Sequence, residues 1–150
     1  MNIERKSLPE EQRHMSWDIF VQDFPADVKR LEEIPPDFKP ASLGKRSLII
    51  EKIKDVAPTA DFTNPAWGII IGEGWSIEVN MSSEEDCKSF VFHVRGGDAA
   101  VCVVAAILQH LELRAADLQS SDFFVSGPRA IESFGKWRAY RDHVVKRFGG

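Results

Sequence analysis

The fold is decided by residues 89–113, SFVFHVRGGDAAVCVVAAILQHLEL, in which a period of two gives way to a continuous apolar run. Phe90, Phe92 and Val94 recur at every second position, which predicts a strand with these side chains on its core face. Two glycines then form a tight turn, and Asp98 is placed to cap the helix that follows. A strand leading directly into a helix predicts a fold that mixes both elements.

The helix predicted over residues 99–113 is apolar almost all round. A helix without a polar face is buried on more than one side. We therefore expect it to be the central helix of the fold or, in part, the interface of a homo-oligomer. Cys102 lies in the middle of this run, so we expect its thiol to be buried and unreactive.

The N-terminal part of the chain predicts a strand followed by a loop. Trp17, Ile19 and Val21 occupy alternate positions, which is typical of a half-buried strand, here over residues 16–24. Four prolines in the next stretch predict a loop, with at most a short helix over residues 26–33.

Two further helices are predicted from apolar spacing. Ile49, Ile53 and Val56 recur at intervals of four and three, which predicts an amphipathic helix over residues 45–56. A Ser-Gly-Pro start signal at residues 126–128 precedes a long amphipathic helix at the C-terminus. The apolar side of that helix carries Ile131, Phe134, Trp137, Val144, Val145 and Phe148.

A β-hairpin is predicted over residues 67–80. A three-residue loop, Gly72 to Gly74, collects the apolar residues of both strands on one face, whereas a two-residue loop mixes the faces. The predicted pairs are Ile71 with Trp75, Ile69 with Ile77 and Trp67 with Val79.

With a short returning strand near residues 123–125, the predicted order is β-α-β-β-β-α-β-α. Three consecutive strands favour an antiparallel or mixed sheet, and three helices with apolar stripes need a shared sheet surface. We therefore expect an α+β fold, a two-layer sandwich of about four or five strands with the helices on one face. Residues 1–14 are charged and predicted to be flexible, with Met15 a possible start, and residues 15–150 form a single domain.

Composition excludes several classes of protein. The net charge of −4 gives no reason to expect nucleic acid as a partner. Two cysteines are too few for a disulfide scaffold, residues 1–14 lack the apolar core of a signal peptide, and no apolar run is long enough to span a membrane. These features predict a cytoplasmic protein with reduced thiols.

One face of the predicted sheet collects polar side chains. If the hairpin and the strand before the glycine pair are neighbours, then Glu78 and Asn80 share a surface with His93 and Arg95. Asp18 extends this surface if the first strand joins it, and Asp98 follows the turn. The candidate binding residues are Glu78, Asn80, His93, Arg95 and Asp98.

Motifs for catalysis or metal binding are missing from the sequence. The four histidines are scattered, and no C-x-x-C, H-E-x-x-H, G-x-S-x-G or dinucleotide-binding spacing occurs. Cys87 lies in an acidic stretch that disfavours a thiolate. We therefore expect no cofactor, no metal and no catalytic residue.

Four segments together resemble a family of small bacterial proteins without an assigned activity: SWDIFVQD at residues 16–23, NPAWG at 64–68, SIEVN at 76–80 and HVRGGD at 93–98. The resemblance covers about residues 15–145 and implies a bacterial, cytosolic setting. In size and acidity the chain is also similar to immunity proteins that neutralise bacterial toxins, a likeness that rests on no motif.

Two functional hypotheses follow. The first is a non-catalytic protein-binding module, immunity-like or regulatory, whose binding weakens on Glu78→Arg or Arg95→Glu. The alternative is a small enzyme or ligand-binding protein with a pocket around Glu78, His93, Arg95 and Asp98.

Overall fold

The computed structural model describes residues 16–124, which form nine strands and two α-helices. The strands are β1 Trp17–Gln22, β2 Gly44–Lys45, β3 Asp61–Asn64, β4 Trp67–Gly72, β5 Trp75–Asn80, β6 Asp86–Cys87, β7 Ser89–Gly96, β8 Ala115–Asp117 and β9 Asp122–Phe123. The helices are α1 Arg46–Val56 and α2 Ala99–Leu111, with one 3₁₀ turn at Leu31–Glu33.

Seven strands form one antiparallel sheet in the order β3-β4-β5-β7-β1-β8-β9, and β2 pairs separately with β6. The α+β class is confirmed. The predicted strand number and element order are wrong, because β2, β3, β6, β8 and β9 are only two to four residues long. Strands this short carry too little alternation to stand out in a sequence.

The predicted alternation of β1 and β7 is confirmed. Trp17 pairs with Val94 and Ile19 with Phe92, and all four side chains are fully buried. Their neighbours in sequence point to the opposite side of the sheet, because successive side chains of a strand alternate between its faces. The central strands therefore separate a core side from an outer side.

Both helices bury apolar side chains in the same core cluster as these strands. Helix α1 contributes Ile49 and Ile53, as predicted, and α2 contributes Val104 and Ile107 among others. Helix α2 contacts β5 and β7, the middle of the sheet. The core lies between the helices and the core side of the sheet.

One side of helix α2 is exposed, although the sequence predicts that this helix is buried on more than one side. Its buried residues follow the spacing of a single face, so Cys102 is exposed, whereas Cys87 is fully buried. The expectation that Cys102 is buried was therefore wrong. Asp98 precedes the helix, but its own backbone is helical (φ −63°, ψ −23°) and its side chain makes no capping hydrogen bond.

The predicted hairpin is present with a different register. Its turn has two residues, Glu73 and Gly74, with φ of 78° at Gly74, so the predicted three-residue loop is wrong. The observed pairs are Gly72 with Trp75, Ile71 with Ser76, Ile70 with Ile77, Ile69 with Glu78, Gly68 with Val79 and Trp67 with Asn80.

Aromatic rings explain this register. A Cβ atom added to Gly68 would overlap the ring of Phe62, and one added to Gly72 would overlap the indole of Trp75. These rings occupy the space beside Ile70 on the core side, so only glycine fits at the two flanking positions. Three apolar side chains of β4 consequently face outward: Trp67, Ile69 and Ile71.

Some predictions fall outside the described residues. They are the flexible segment over residues 1–14 and the C-terminal helix after residue 126. Within residues 16–124, neither helix is long and apolar enough to cross a membrane.

Candidate functional site: the outer face of the sheet

Three of the five predicted binding residues, Glu78, His93 and Arg95, meet on the side of the sheet away from the core. Glu78 of β5 pairs with His93 of β7, and His93 pairs with Asp18 of β1. Paired residues of neighbouring strands share one face. We call this surface the outer face and define it by Asp18, Trp67, Ile69, Ile71, Glu78, His93 and Arg95.

The first ion pair of the outer face joins Arg95 to Glu78. The guanidinium Nη1 lies 3.3 Å from the carboxylate Oε2, and the two side chains are 19% and 9% exposed. A pair this buried loses hydration on both sides, and removing one partner would leave the other charge poorly solvated. The pair therefore fixes the centre of the face in one arrangement.

The second pair joins His93 to Asp18, with Nδ1 2.8 Å from Oδ1. Ser16 also donates a hydrogen bond to Asp18. Burial alone would raise the pKa of Asp18. The hydrogen bonds from His93 and Ser16, with the charges of His93 and Arg95, outweigh burial and hold this pKa below its usual value.

Apolar side chains lie beside these two polar pairs. Trp67 is 37% exposed and stacks on the His93 ring, with centroids 6.3 Å apart and planes 24° apart. Ile71 is 51% exposed, and Ile69, between them on β4, lies directly opposite Glu78. A partly exposed indole, held by its stack on a paired imidazole, is a rigid apolar contact.

Sequence reasoning found one half of this face and missed the other. It placed Glu78, His93 and Arg95 together, as observed, with Asp18 as an extension. It assigned Trp67 and Ile71 to the core, and only the glycines at alternate positions of β4 could have indicated otherwise.

The other two predicted residues lie at the margins. Asn80 is exposed at the end of β5, on the same side as Glu78, and lines a groove of about 440 Å³ with the loop that precedes β7. Asp98 lies beyond Gly96 and Gly97, at the start of α2.

Two grooves in the described part of the chain lie away from the centre of the outer face. Neither the 440 Å³ groove nor a second groove beside α1 includes Glu78, His93 or Arg95. Within residues 16–124, no group of three or more His, Cys, Asp or Glu side chains is placed to hold a metal ion. Burial raises the pKa of the Cys87 thiol, which disfavours the reactive thiolate.

Comparison with protein-family models, with curated proteins and with solved structures found no match to this chain. Its function therefore has to be argued from the geometry of the outer face.

Proposed function

We propose that this protein is a non-catalytic protein-binding module, immunity-like or regulatory in kind, and that the outer face of its sheet contacts the partner. The single observation that supports this proposal most is the exposure of Trp67 and Ile71 beside charges that are already paired. The centres of interfaces are enriched in tryptophan and depleted in charged residues, and a charge that is already paired costs less to cover than a bare one.

The paired charges favour a protein partner for a physical reason. Glu78 is paired with the guanidinium of Arg95, and Asp18 accepts hydrogen bonds from His93 and Ser16 within the molecule. A binding partner that covers this face does not have to neutralise a bare carboxylate, so covering it costs less desolvation. The apolar row along β4 then supplies favourable burial.

A small-molecule site at the same place is the alternative. It is supported by the Asp18–His93 pair, because a carboxylate on Nδ1 orients an imidazole for proton transfer at Nε2. The shape argues against it, since ligand sites are concave, whereas Trp67 and Ile71 project from a sheet.

The test is a pull-down from the native cells, followed by affinity measurement with the recovered protein. The variants are Trp67→Asp and Ile71→Asp, with Leu48→Asp as the matched control, because Leu48 is 53% exposed and lies on α1, on the opposite side of the sheet. We expect the two outer-face variants to weaken binding by at least about 10-fold, the control to bind as wild type does, and all three to keep wild-type circular dichroism.

These variants are sharper probes than charge reversal of Glu78. Glu78 as a whole residue, backbone included, is only 6% exposed, and its carboxylate is paired with Arg95. Glu78→Arg would therefore disturb the fold as well as the surface. The proposal fails if no specific protein is recovered, or if both outer-face variants bind the recovered protein as tightly as the control.

A further inference from the structure

His93 joins the two parts of the outer face, the polar pairs and the apolar row of β4. Its Nδ1 lies 2.8 Å from Oδ1 of Asp18, and its ring stacks on the indole of Trp67. The imidazole side chain is 23% exposed, so it can exchange protons with solvent. Histidine is the side chain that ordinarily changes charge between about pH 5 and pH 8. A change of charge at His93 therefore acts on both parts of the face.

The charged side chains around His93 determine what its protonation changes. On the described strands they are Asp18 of β1, Glu78 of β5 and Arg95 of β7. Arg95 is permanently charged and pairs with Glu78, which leaves Asp18 as the partner of His93. Although burial opposes it, hydrogen bonding holds the pKa of Asp18 below its usual value. This carboxylate is therefore ionised throughout the range in which histidine changes charge.

The Asp18–His93 pair has a different net charge in its two protonation states. With a neutral imidazole the pair carries one negative charge, and a partner that covers it has to remove water from an uncompensated carboxylate. With an imidazolium the pair carries no net charge, and the hydrogen bond between the two side chains becomes charge-assisted. Covering the pair therefore costs less in mild acid.

Protonation also strengthens the contact that holds Trp67. This residue pairs with Asn80 on β5, so its indole crosses that strand to reach His93 on β7. The ring centroids are 6.3 Å apart, close to the distance of about 6 Å within which a cation is attracted to the face of an indole. A side chain that is ordered before binding loses less entropy on association. An imidazolium therefore prepares the indole for a partner.

We propose that the outer face is a pH-sensitive surface, in which protonation of His93 neutralises Asp18, fixes the indole of Trp67 and produces the form that binds the partner. The part that concerns the partner rests on the proposed function. The part that concerns the indole is a property of the free chain and is tested without a partner.

The test in the free chain is ¹⁵N NMR of the full-length protein between about pH 5 and pH 8. The indole N–H signal of Trp67, assigned by its loss in Trp67→Phe, should follow one titration curve that coincides with the curve of the His93 ring protons. The heteronuclear NOE of this N–H should be higher at the acid end, because the ring is held more firmly there. His93→Gln should abolish both changes.

His110 provides the matched control. It is also bonded to a carboxylate, with Nε2 3.1 Å from Oδ2 of Asp55, but it lies near the end of α2, on the helix side of the sheet. His110→Gln should therefore leave the titration of the Trp67 signal unchanged.

The test of binding uses the protein recovered by the pull-down, with dissociation constants measured at about pH 5.5 and about pH 7.5. The measured quantity is the ratio of the two constants, because groups that titrate on the partner affect every variant alike. The preference for acid should be about 2–5-fold weaker in His93→Gln than in wild type, which corresponds to one exposed cation–π contact. His110→Gln should keep the wild-type ratio.

Two results would overturn the proposal. If the Trp67 signal of wild type does not follow the His93 titration, protonation does not act on the indole; this measurement needs no substitution, so it decides even if His93→Gln fails to fold. If His93→Gln keeps the wild-type ratio of dissociation constants, the pH dependence of binding has another source. Neither result contradicts contact at the outer face, which Trp67→Asp and Ile71→Asp test. Failure to recover a partner would refute the proposed function and the binding part of this proposal with it.

Discussion

Replacing Ile70 and Ile71 with alanine, one at a time, should have very different effects although the two residues are adjacent. Ile70 is 2% exposed and belongs to the core cluster, whereas Ile71 is 51% exposed on the outer face. Ile70→Ala leaves a cavity beside the glycines of β4, so it should lower the free energy of unfolding by about 2–5 kcal/mol. Ile71→Ala loses part of one half-exposed side chain and should cost less than about 1 kcal/mol.

The assay is urea unfolding at equilibrium, followed by tryptophan fluorescence, with the midpoint and slope fitted for each variant. If Ile70→Ala does not fold, Ile70→Val should still cost about 0.5–1.5 kcal/mol. A three-residue hairpin loop would place Ile71 inside and Ile70 outside. A larger loss for Ile71→Ala than for Ile70→Ala would therefore refute the observed register.

Three further predictions concern pH, thiols and a glycine. Because the pKa of Asp18 is lowered in the folded protein, the ionised carboxylate stabilises the fold above the unfolded pKa of 3.8, and this contribution is lost as pH falls through the folded pKa. The difference in free energy of unfolding between wild type and Asp18→Asn should therefore narrow in acid. Cys102 should react with DTNB in the native protein, and Cys87 only on unfolding. Gly72→Ala should cost about 1–3 kcal/mol because an indole fills its site, whereas Gly97→Ala should be nearly neutral.

A specific result would contradict each of these three predictions. A gap that stays constant or widens in acid would show that Asp18 does not have a lowered pKa in the native protein. Two thiols that react equally fast under native conditions would contradict the burial of Cys87. Equal stability of Gly72→Ala and Gly97→Ala in the urea assay would mean that the indole does not occupy the place described.

The strongest periodic signals predicted the fold best. The alternation around Trp17 and Phe92 identified the two central strands and their core side, because burial of one face imposes a period of two. The spacing of Ile49 and Ile53 identified α1 for the corresponding reason. Strands such as β2 and β6 form through pairing between distant segments, which local sequence does not encode.

The outer face was half predictable. Glu78 and His93 were expected as neighbours because the hairpin and β7 follow each other along the chain. Trp67 was assigned to the core because hydrophobicity was used to choose the register. The observed register depends on the packing of the Phe62 ring against Gly68 and of the Trp75 ring against Gly72. These contacts arise from tertiary packing, which the local sequence does not encode.

The central claim, that the outer face contacts a protein, is tested most directly by photo-crosslinking in the native cells. A photoreactive side chain is placed at position 71 in one variant and at position 48 in another, because Ile71 and Leu48 are exposed to a similar extent and lie on opposite sides of the sheet. The account predicts one recurrent crosslinked protein from position 71, and the absence of that protein among the products from position 48. The same products from both positions, or no product from position 71, would contradict it.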